Sequence, residues 1–196
     1  MEELTTVIFL GIQGSGKGTQ TRLLQKYLEE HTNTKALYLE TGQLLRNFAG
    51  QEGYTNELVD NTITAGELLP SFMPVYVLGR EMIEHFTGAE HLIFDGAARR
   101  ENQTVMIDSM MRMYGRTPYH VVVINIPEDM AVERMLGRGR EDDTRESIQK
   151  RIAWSKENEQ VVIEKFKGLN CSVHHIDGTG TIDEIHALIL SELGLI

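Results

Sequence analysis

Cysteine is almost absent from this chain of 196 residues, in which Cys171 is the only one. A single cysteine cannot form a disulfide within the chain, and it cannot supply the several thiolates of a cysteine-based zinc site. We therefore expect Cys171 to be a small buried apolar residue, and we expect no cysteine-based zinc site.

Long apolar runs are absent as well. No segment approaches the roughly 18 apolar residues of a membrane-spanning helix, so we expect none. The opening segment, MEELTT, is short and acidic, so we expect no signal peptide there. Positive charge is in the minority, with 19 Lys and Arg against 29 Asp and Glu and a net charge of -10. Since nucleic-acid polymers and anionic membranes attract basic surfaces, we expect neither as a partner. The composition predicts a soluble cytoplasmic globular protein.

Five short apolar runs predict buried strands, with helical patterns between them. The predicted strands are residues 6–10, 36–39, 91–94, 119–126 and 171–176. Strands that are apolar on both faces and alternate with helices indicate a parallel α/β sheet, here in a single domain of residues 1–196. Ligands of such a sheet bind beyond the carboxyl ends of its strands, where Gly11, Asp95, Pro127 and Gly178 begin the next segments.

Two segments depart from this alternation. Residues 41–70 hold short helical pieces without a strand, which indicates an inserted helical subdomain. Residues 137–140, with the sequence GRGR, form a very short turn between two helical patterns. The chain is therefore predicted to be one domain with one true insertion.

Two details of the helices also follow from the sequence. Asp143 precedes a long helical pattern, and Glu146 three residues later predicts a capping box with it. Met106, Met110 and Met113 recur at helical spacing, which predicts a buried stripe. We expect this stripe to belong to the core.

A glycine-rich loop follows the first predicted strand. Residues 11–19 read GIQGSGKGT and fit the pattern G-x-x-x-x-G-K. The glycines allow backbone N–H groups to converge on an anion, and the next helix adds its positive N-terminal dipole. Lys17 can reach the β- and γ-phosphates of a nucleotide. Gly18 stands where a hydroxyl residue usually binds Mg²⁺, and Thr19 comes one position later.

Together with this loop, six further segments resemble the adenylate kinase family of nucleoside monophosphate kinases. They are TGQLLR (41–46), AGELLP (65–70), DGAAR (95–99) with Gln103, ERMLGR (133–138), REDD (140–143) with Lys150-Arg151, and DGTG (177–180). The resemblance covers nearly the whole chain. It implies a P-loop NTPase fold with three α/β/α layers and a five-stranded parallel sheet. It also implies a helical monophosphate-binding insertion at 41–70, a vestigial lid at 137–142 and a monomer.

The resemblance implies a role for each matching residue. Two nucleotides bring several negative charges together, so a set of cations is needed to offset their repulsion. The implied catalytic cations are Lys17, Arg99, Arg138, Arg140 and Arg151. ATP is expected to contact Gly14, Ser15, Gly16, Lys17, Gly18, Thr19, Arg134, Arg138 and Gly180. AMP is expected to contact Thr41, Gly42, Arg46, Leu69, Gly96, Arg99, Gln103, Arg140 and Arg151.

The acidic residues of these segments have two interpretations each. By the resemblance, Asp95 reaches the Mg²⁺ that accompanies ATP through a water molecule, because Mg²⁺ keeps much of its hydration. Alternatively, Asp95 only begins a turn before Gly96. Asp142 and Asp143 resemble an acidic pair at the edge of the lid, although Asp143 is equally suited to cap its helix.

The predicted reaction is that of an adenylate kinase, in which Mg-ATP and AMP give two ADP. A kinase for UMP, CMP or another nucleoside monophosphate is the alternative, and a non-catalytic nucleotide-binding module is a third. Ala97-Ala98 stand where the family has Phe-Pro with a cis bond. The turn is therefore either trans and reshaped, or it retains a strained cis bond. By the resemblance, a lid this short is expected to hold no zinc. Because the lid is so short, closure of residues 41–70 must exclude most of the water.

Overall fold

A five-stranded parallel sheet forms the centre of the molecule. The computed structural model describes residues 4–137, 139 and 144–196. The strands are β1 (Thr6–Leu10), β2 (Ala36–Glu40), β3 (His91–Asp95), β4 (Tyr119–Asn125) and β5 (Cys171–Asp177), in the order β2-β3-β1-β4-β5. All four neighbouring pairs are parallel. These strands agree with the predicted ones to within one residue at each end, and the predicted fold class is confirmed.

Eight helices connect and cover the strands in the part of the chain that is described. They are α1 (Lys17–Thr32), α2 (Thr41–Ala49), α3 (Tyr54–Thr64), α4 (Phe72–His85), α5 (Glu101–Met113), α6 (Glu128–Gly137), α7 (Arg145–Lys167) and α8 (Ile182–Glu192). Among these described helices, none combines the length and the apolar character that crossing a membrane requires.

Strands β1 and β3 are buried on both faces, which explains their continuous apolar sequences. Successive side chains of a strand point to opposite faces. In β1, Ile8 and Leu10 pack in a cluster with α4, α5 and α7, whereas Val7 and Phe9 pack in a second cluster with α1 and α8. Each of these β1 residues therefore meets a helix layer, and no polar alternation is needed.

Residues 41–70 contain α2 and α3 and have their own small apolar cluster. Leu45, Val59 and Leu69 pack there against Met73 and Val77 of α4. Within this span, every residue of which is described, no strand occurs. The bounds of an inserted subdomain at 41–70 stay a prediction.

The predicted start of α7 was wrong by one residue. Thr144 is the N-cap, with the extended backbone that caps require, and its hydroxyl accepts a hydrogen bond from the Ser147 N–H at 3.1 Å. The Ser147 hydroxyl accepts one from the Thr144 N–H, also at 3.1 Å. This reciprocal capping box puts Ser147, not Glu146, at the third helical position. Asp143 lies outside the described residues.

The predicted methionine stripe was wrong for Met106 and Met113, whereas Met110 is partly buried and packs against the cluster with α4, α5 and α7. Met106 is 52% exposed and Met113 is 80% exposed, whereas Ile107 and Met111 are in the core. The buried face of α5 includes polar residues, among them Asp108, whose carboxylate accepts a hydrogen bond from the buried Tyr119 hydroxyl at 3.0 Å. Because the buried face of α5 is partly polar, the spacing of the methionines pointed to a neighbouring face of the helix instead.

Candidate active site

One large cleft opens at the carboxyl ends of the strands. Its volume is about 1130 Å³, which exceeds the roughly 300–1,000 Å³ of an ordinary single-ligand pocket. All predicted site residues that the structure describes line it: Gly14, Ser15, Gly16, Lys17, Gly18, Thr19, Thr41, Gly42, Arg46, Leu69, Asp95, Gly96, Arg99, Gln103, Arg134, Arg151 and Gly180. Arg138 and Arg140 lie outside the described residues, as do Asp142 and most of the predicted lid.

The glycine-rich loop between β1 and α1 is tightly packed. Gly14 has φ +87°, and a Cβ there would lie 2.6 Å from the Ala131 carbonyl oxygen, so a larger residue would not fit. The Lys17 ammonium lies across the loop and donates hydrogen bonds to the carbonyl oxygens of Gly11 at 2.6 Å and Ile12 at 2.8 Å. The loop therefore holds its lysine at the position where an anion would meet the backbone N–H groups.

Asp95 ends β3 beside this loop and is only 8% exposed. Burial raises the pKa of its carboxyl above the ordinary value, and the charge of Glu40 adds to the rise, while Lys17 opposes it. A Cβ at Gly18 would lie 3.5 Å from the Asp95 Oδ2 atom. The carboxylate and the start of α1 are therefore close together, and the absence of a side chain at Gly18 leaves room between them.

Two residues at this edge were not predicted. Tyr38 places its hydroxyl oxygen 3.2 Å from Asp95 Oδ2 and 3.3 Å from Glu40 Oε2. Glu40 is paired with Asp95 in the register of β2 and β3. Burial, and then the charge of Asp95, raises the pKa of Tyr38, which keeps the phenol protonated as a donor. The position of Glu40 directly after the predicted strand 36–39 was the available signal, because it puts the carboxylate at the ligand-binding edge.

Two arginines enter the cleft from different segments. Arg46 comes from the side of residues 41–70, and Arg99 comes from the turn after β3. The Arg46 guanidinium donates to Glu40 Oε1 at 3.1 Å and to Gln43 Oε1 at 3.1 Å. The buried Gln103 side chain accepts a hydrogen bond from the Arg99 N–H at 2.7 Å. Gln103 therefore fixes the turn that carries Arg99.

The turn after β3 is reshaped rather than strained by a cis bond. Among the described residues, the cis peptide bond is Thr117-Pro118, so the Ala97-Ala98 bond is trans. Both alanines are buried in the main cluster with α4, α5 and α7. Two small residues fill this space without the ring of a proline.

Helix α7 lines the cleft with a basic residue and an aromatic one. Arg151 is 5% exposed, and its guanidinium donates to the Ile63 carbonyl oxygen at 3.4 Å. Trp154 lies with its ring centroid 5.2 Å from the Arg99 Cζ atom. Glu159 also lines the cleft, and burial raises the pKa of its carboxyl while Lys17 opposes the rise.

Arg134 lies at the opposite end of the cleft, between the loop and the turn after β5. Its guanidinium donates to the Gly178 carbonyl oxygen at 3.2 Å. A Cβ at Gly16 would lie 3.8 Å from an Arg134 nitrogen. With Gly180 in the same wall of the cleft, these groups form a site that could take a flat ring against the guanidinium plane.

Known proteins resemble this chain over nearly its full length. The model of the family "Adenylate kinase" matches residues 9–170. The adenylate kinase of Thermus thermophilus is 31% identical over 193 residues, which is 96% of this chain and 97% of the relative. That of Porphyromonas gingivalis is 31% identical over 187 residues, or 93% and 92% of the two chains. That of Nocardia farcinica is 30% identical over 188 residues, or 96% and 98%. With these matches over the whole cleft, the chain belongs to the adenylate kinase family of nucleoside monophosphate kinases.

Proposed function

We propose that this chain transfers a phosphoryl group reversibly from Mg-ATP to AMP, giving two ADP. The proposal rests on one observation: the same cleft is lined by the glycine-rich loop with Lys17 and by Arg46, Arg99 and Arg151. Binding of ATP alone needs the loop but not this second group of arginines. A site for a second phosphate next to the first is what transfer between two nucleotides requires.

On the donor side, the backbone N–H groups of residues 14–19 bind the phosphates of ATP. Lys17 exchanges its carbonyl partners, Gly11 and Ile12, for phosphate oxygens, which form stronger charge-assisted hydrogen bonds. Arg134 stacks on the adenine, with the backbone at Gly180 beside the base. Arg138, by its position in the family motif, holds the donor phosphates.

On the acceptor side, Arg46 and Arg99 hold the phosphate of AMP, and Arg140 and Arg151 bridge the two nucleotides. Their guanidinium groups offer pairs of N–H donors that match phosphate oxygens. The residues proposed to surround the rest of AMP are Thr41, Gly42, Leu69, Gly96 and Gln103. In phosphoryl transfer the charge spreads over the equatorial oxygens, so that these arginines stabilise the transition state.

The residues present fit a magnesium ion bound with ATP. Asp95 offers a nearly buried carboxylate at the end of β3, close to the start of the phosphate-binding helix. A bound cation would favour the ionised form of this carboxyl, whose pKa burial raises. Asp95 would hold the ion through water, since Mg²⁺ dehydrates reluctantly. The ion supplies positive charge that offsets the negative charge of the phosphates.

The test is turnover of Mg-ATP with AMP, UMP, CMP, GMP and dAMP in turn. We expect ADP formation with AMP and much slower turnover with the other bases. Activity with UMP or CMP and none with AMP would replace the proposed acceptor, and ATP binding without any turnover would favour a non-catalytic module. A cytoplasmic location and a monomeric state also stay proposals, and sedimentation of the purified chain tests the second.

A further inference from the structure

Trp154 is the only tryptophan of the chain, and its ring faces the cleft from α7. It lies three residues after Arg151, so both side chains project from the same face of the helix. Nothing in the resemblance or in the proposed reaction gives it a role.

The ring contacts two other parts of the molecule. Its centroid is 5.2 Å from the Arg99 Cζ atom, within the roughly 6 Å over which a cation is attracted to an aromatic face. Its Nε1–H donates to the Gly66 carbonyl oxygen at 3.4 Å. Trp154 therefore connects the turn after β3 with the turn that follows α3.

The contact with Gly66 is one of three along the same face of α7. Arg151 donates to the Ile63 carbonyl oxygen at 3.4 Å, one turn away. At the start of the helix, Ser147 lies so close to Gly66 that a Cβ there would be 2.8 Å from the Ser147 Cβ. Residues 63–66 thus rest against α7 over two turns of the helix. Trp154, the last of the three contacting residues on α7, also touches Arg99.

Stacking and phosphate binding use different parts of a guanidinium. The aromatic ring attracts a guanidinium held over its face through the charge of the group, whereas phosphate oxygens bind the N–H groups. An arginine side chain has many rotamers, and ordering it opposes binding. A ring that already holds the guanidinium lowers this entropic cost.

We propose that Trp154 is a positioning residue, which orients Arg99 toward the acceptor phosphate while residues 63–66 lie against α7. The hydrogen bond to Gly66 fixes the ring, and the ring fixes Arg99. Closure of residues 41–70 and orientation of the arginine are coupled in this way. The inference rests on the proposed function, since it assumes that Arg99 binds the phosphate of a nucleoside monophosphate.

The experiment compares Trp154→Leu with Trp154→Phe in steady-state turnover of Mg-ATP and AMP. Leucine removes both the aromatic face and the N–H group, and we expect it to raise KM for AMP roughly 3- to 30-fold. Phenylalanine keeps the face, and we expect it to recover most of that loss. KM for ATP should change less than about twofold in both variants, because Lys17 and Arg134 lie elsewhere in the cleft.

Tyr27→Leu is the matched control. The Tyr27 ring also stacks on a basic side chain, His31, with centroids 4.0 Å apart, and its hydroxyl also donates to a backbone carbonyl, that of Leu195. It lies on α1 and does not itself line the cleft. We expect this variant to lose stability without a selective rise in KM for AMP.

Three results would each contradict either the positioning role of Trp154 or the proposed function. If Trp154→Leu leaves KM for AMP unchanged, or raises both Michaelis constants equally as a general structural defect would, the positioning role is wrong. In an Arg99→Ala background, Trp154→Leu should produce no further rise in KM for AMP, and an additive rise would also overturn the role. If the wild-type chain phosphorylates no monophosphate at all, it is instead the proposed function that fails.

The single tryptophan supplies a readout that does not depend on turnover. We expect AMP to change its fluorescence in the wild-type chain, and Arg99→Ala to abolish most of that change. A full-size response in Arg99→Ala would show that the ring does not sense this arginine.

Discussion

Gly66→Ala would test whether residues 63–66 must lie against α7 for the acceptor to bind. Gly66 has φ +71°, and an added Cβ would lie 2.8 Å from Ser147 Cβ and 2.9 Å from Ser147 Cα. Real Cβ atoms do not approach other atoms so closely. The substitution therefore combines backbone strain with an overlap against the first turn of α7.

The two effects have different consequences. The left-handed backbone costs about 1–2 kcal/mol for alanine in any folded arrangement. For a domain of this size that lowers Tm by about 2–8 °C. The overlap costs about 1–3 kcal/mol more, but only while Gly66 touches Ser147. Residues 41–70 can relieve it by moving away, so we expect KM for AMP to rise roughly 5- to 150-fold with little change in KM for ATP.

Gly115→Ala is the control that separates these effects. Gly115 has φ +65°, and nothing lies within 4 Å of a Cβ added there. It carries similar backbone strain without an overlap, so Tm should fall by a similar amount while KM for AMP stays at the wild-type value. Thermal denaturation and initial rates at varied AMP measure both quantities. Equal KM values for AMP in the two variants would refute the reasoning that residues 63–66 must lie against α7 for AMP to bind.

Three other predictions concern single groups of the molecule. Arg99→Ala should lower turnover about 100-fold or more if the guanidinium stabilises the charge of the transition state, and a near-normal coupled-assay rate would contradict that role. Burial raises the pKa of Asp95 in the folded chain, so the folded state binds this proton more tightly than the unfolded state does. The ligand-free chain therefore loses stability as the pH rises through the folded pKa and the proton is lost. The Tm advantage of Asp95→Asn should therefore grow as the pH rises above about 4, the ordinary carboxyl pKa, whereas a Tm difference that stays constant with pH would contradict the raised pKa. Burial raises the pKa of Cys171 to about 11, so iodoacetamide at pH 8 should label the native chain far more slowly than the urea-unfolded chain, and equal rates would be the opposing result.

Strands β1 and β3 could be predicted from the sequence because each is buried on both faces. Val7 and Ile8 face different helix layers, and both are fully buried, so that β1 appears as an uninterrupted apolar run. Periodicity failed on α5, where Asp108 belongs to the buried face through its bond to Tyr119. A hydrogen-bonded carboxylate in the core cannot be distinguished from a surface one by sequence spacing.

The site was predictable where a motif specifies backbone geometry, and not where distant side chains meet. The loop with Lys17 combines a fixed spacing with a position between a strand and a helix, and all its predicted residues line the cleft. Trp154 and Arg99 come from different segments, and nothing in either segment indicates that they stack. Their contact depends on how α7 crosses the sheet, which local sequence does not specify.

The negative net charge of the chain and the basic cleft are compatible because acidic and carbonyl groups hold the arginines in place. Arg134 donates to the Gly178 carbonyl oxygen at 3.2 Å and Arg151 to that of Ile63 at 3.4 Å, and at each of these two contacts a phosphate oxygen would replace a neutral acceptor. Arg46 differs, since its partner at 3.1 Å is the mostly buried carboxylate of Glu40. A guanidinium has five N–H donors, so Arg46 can keep Glu40 at one edge and bind phosphate at another. We therefore expect Glu40 to orient this arginine instead of competing with the nucleotide for it.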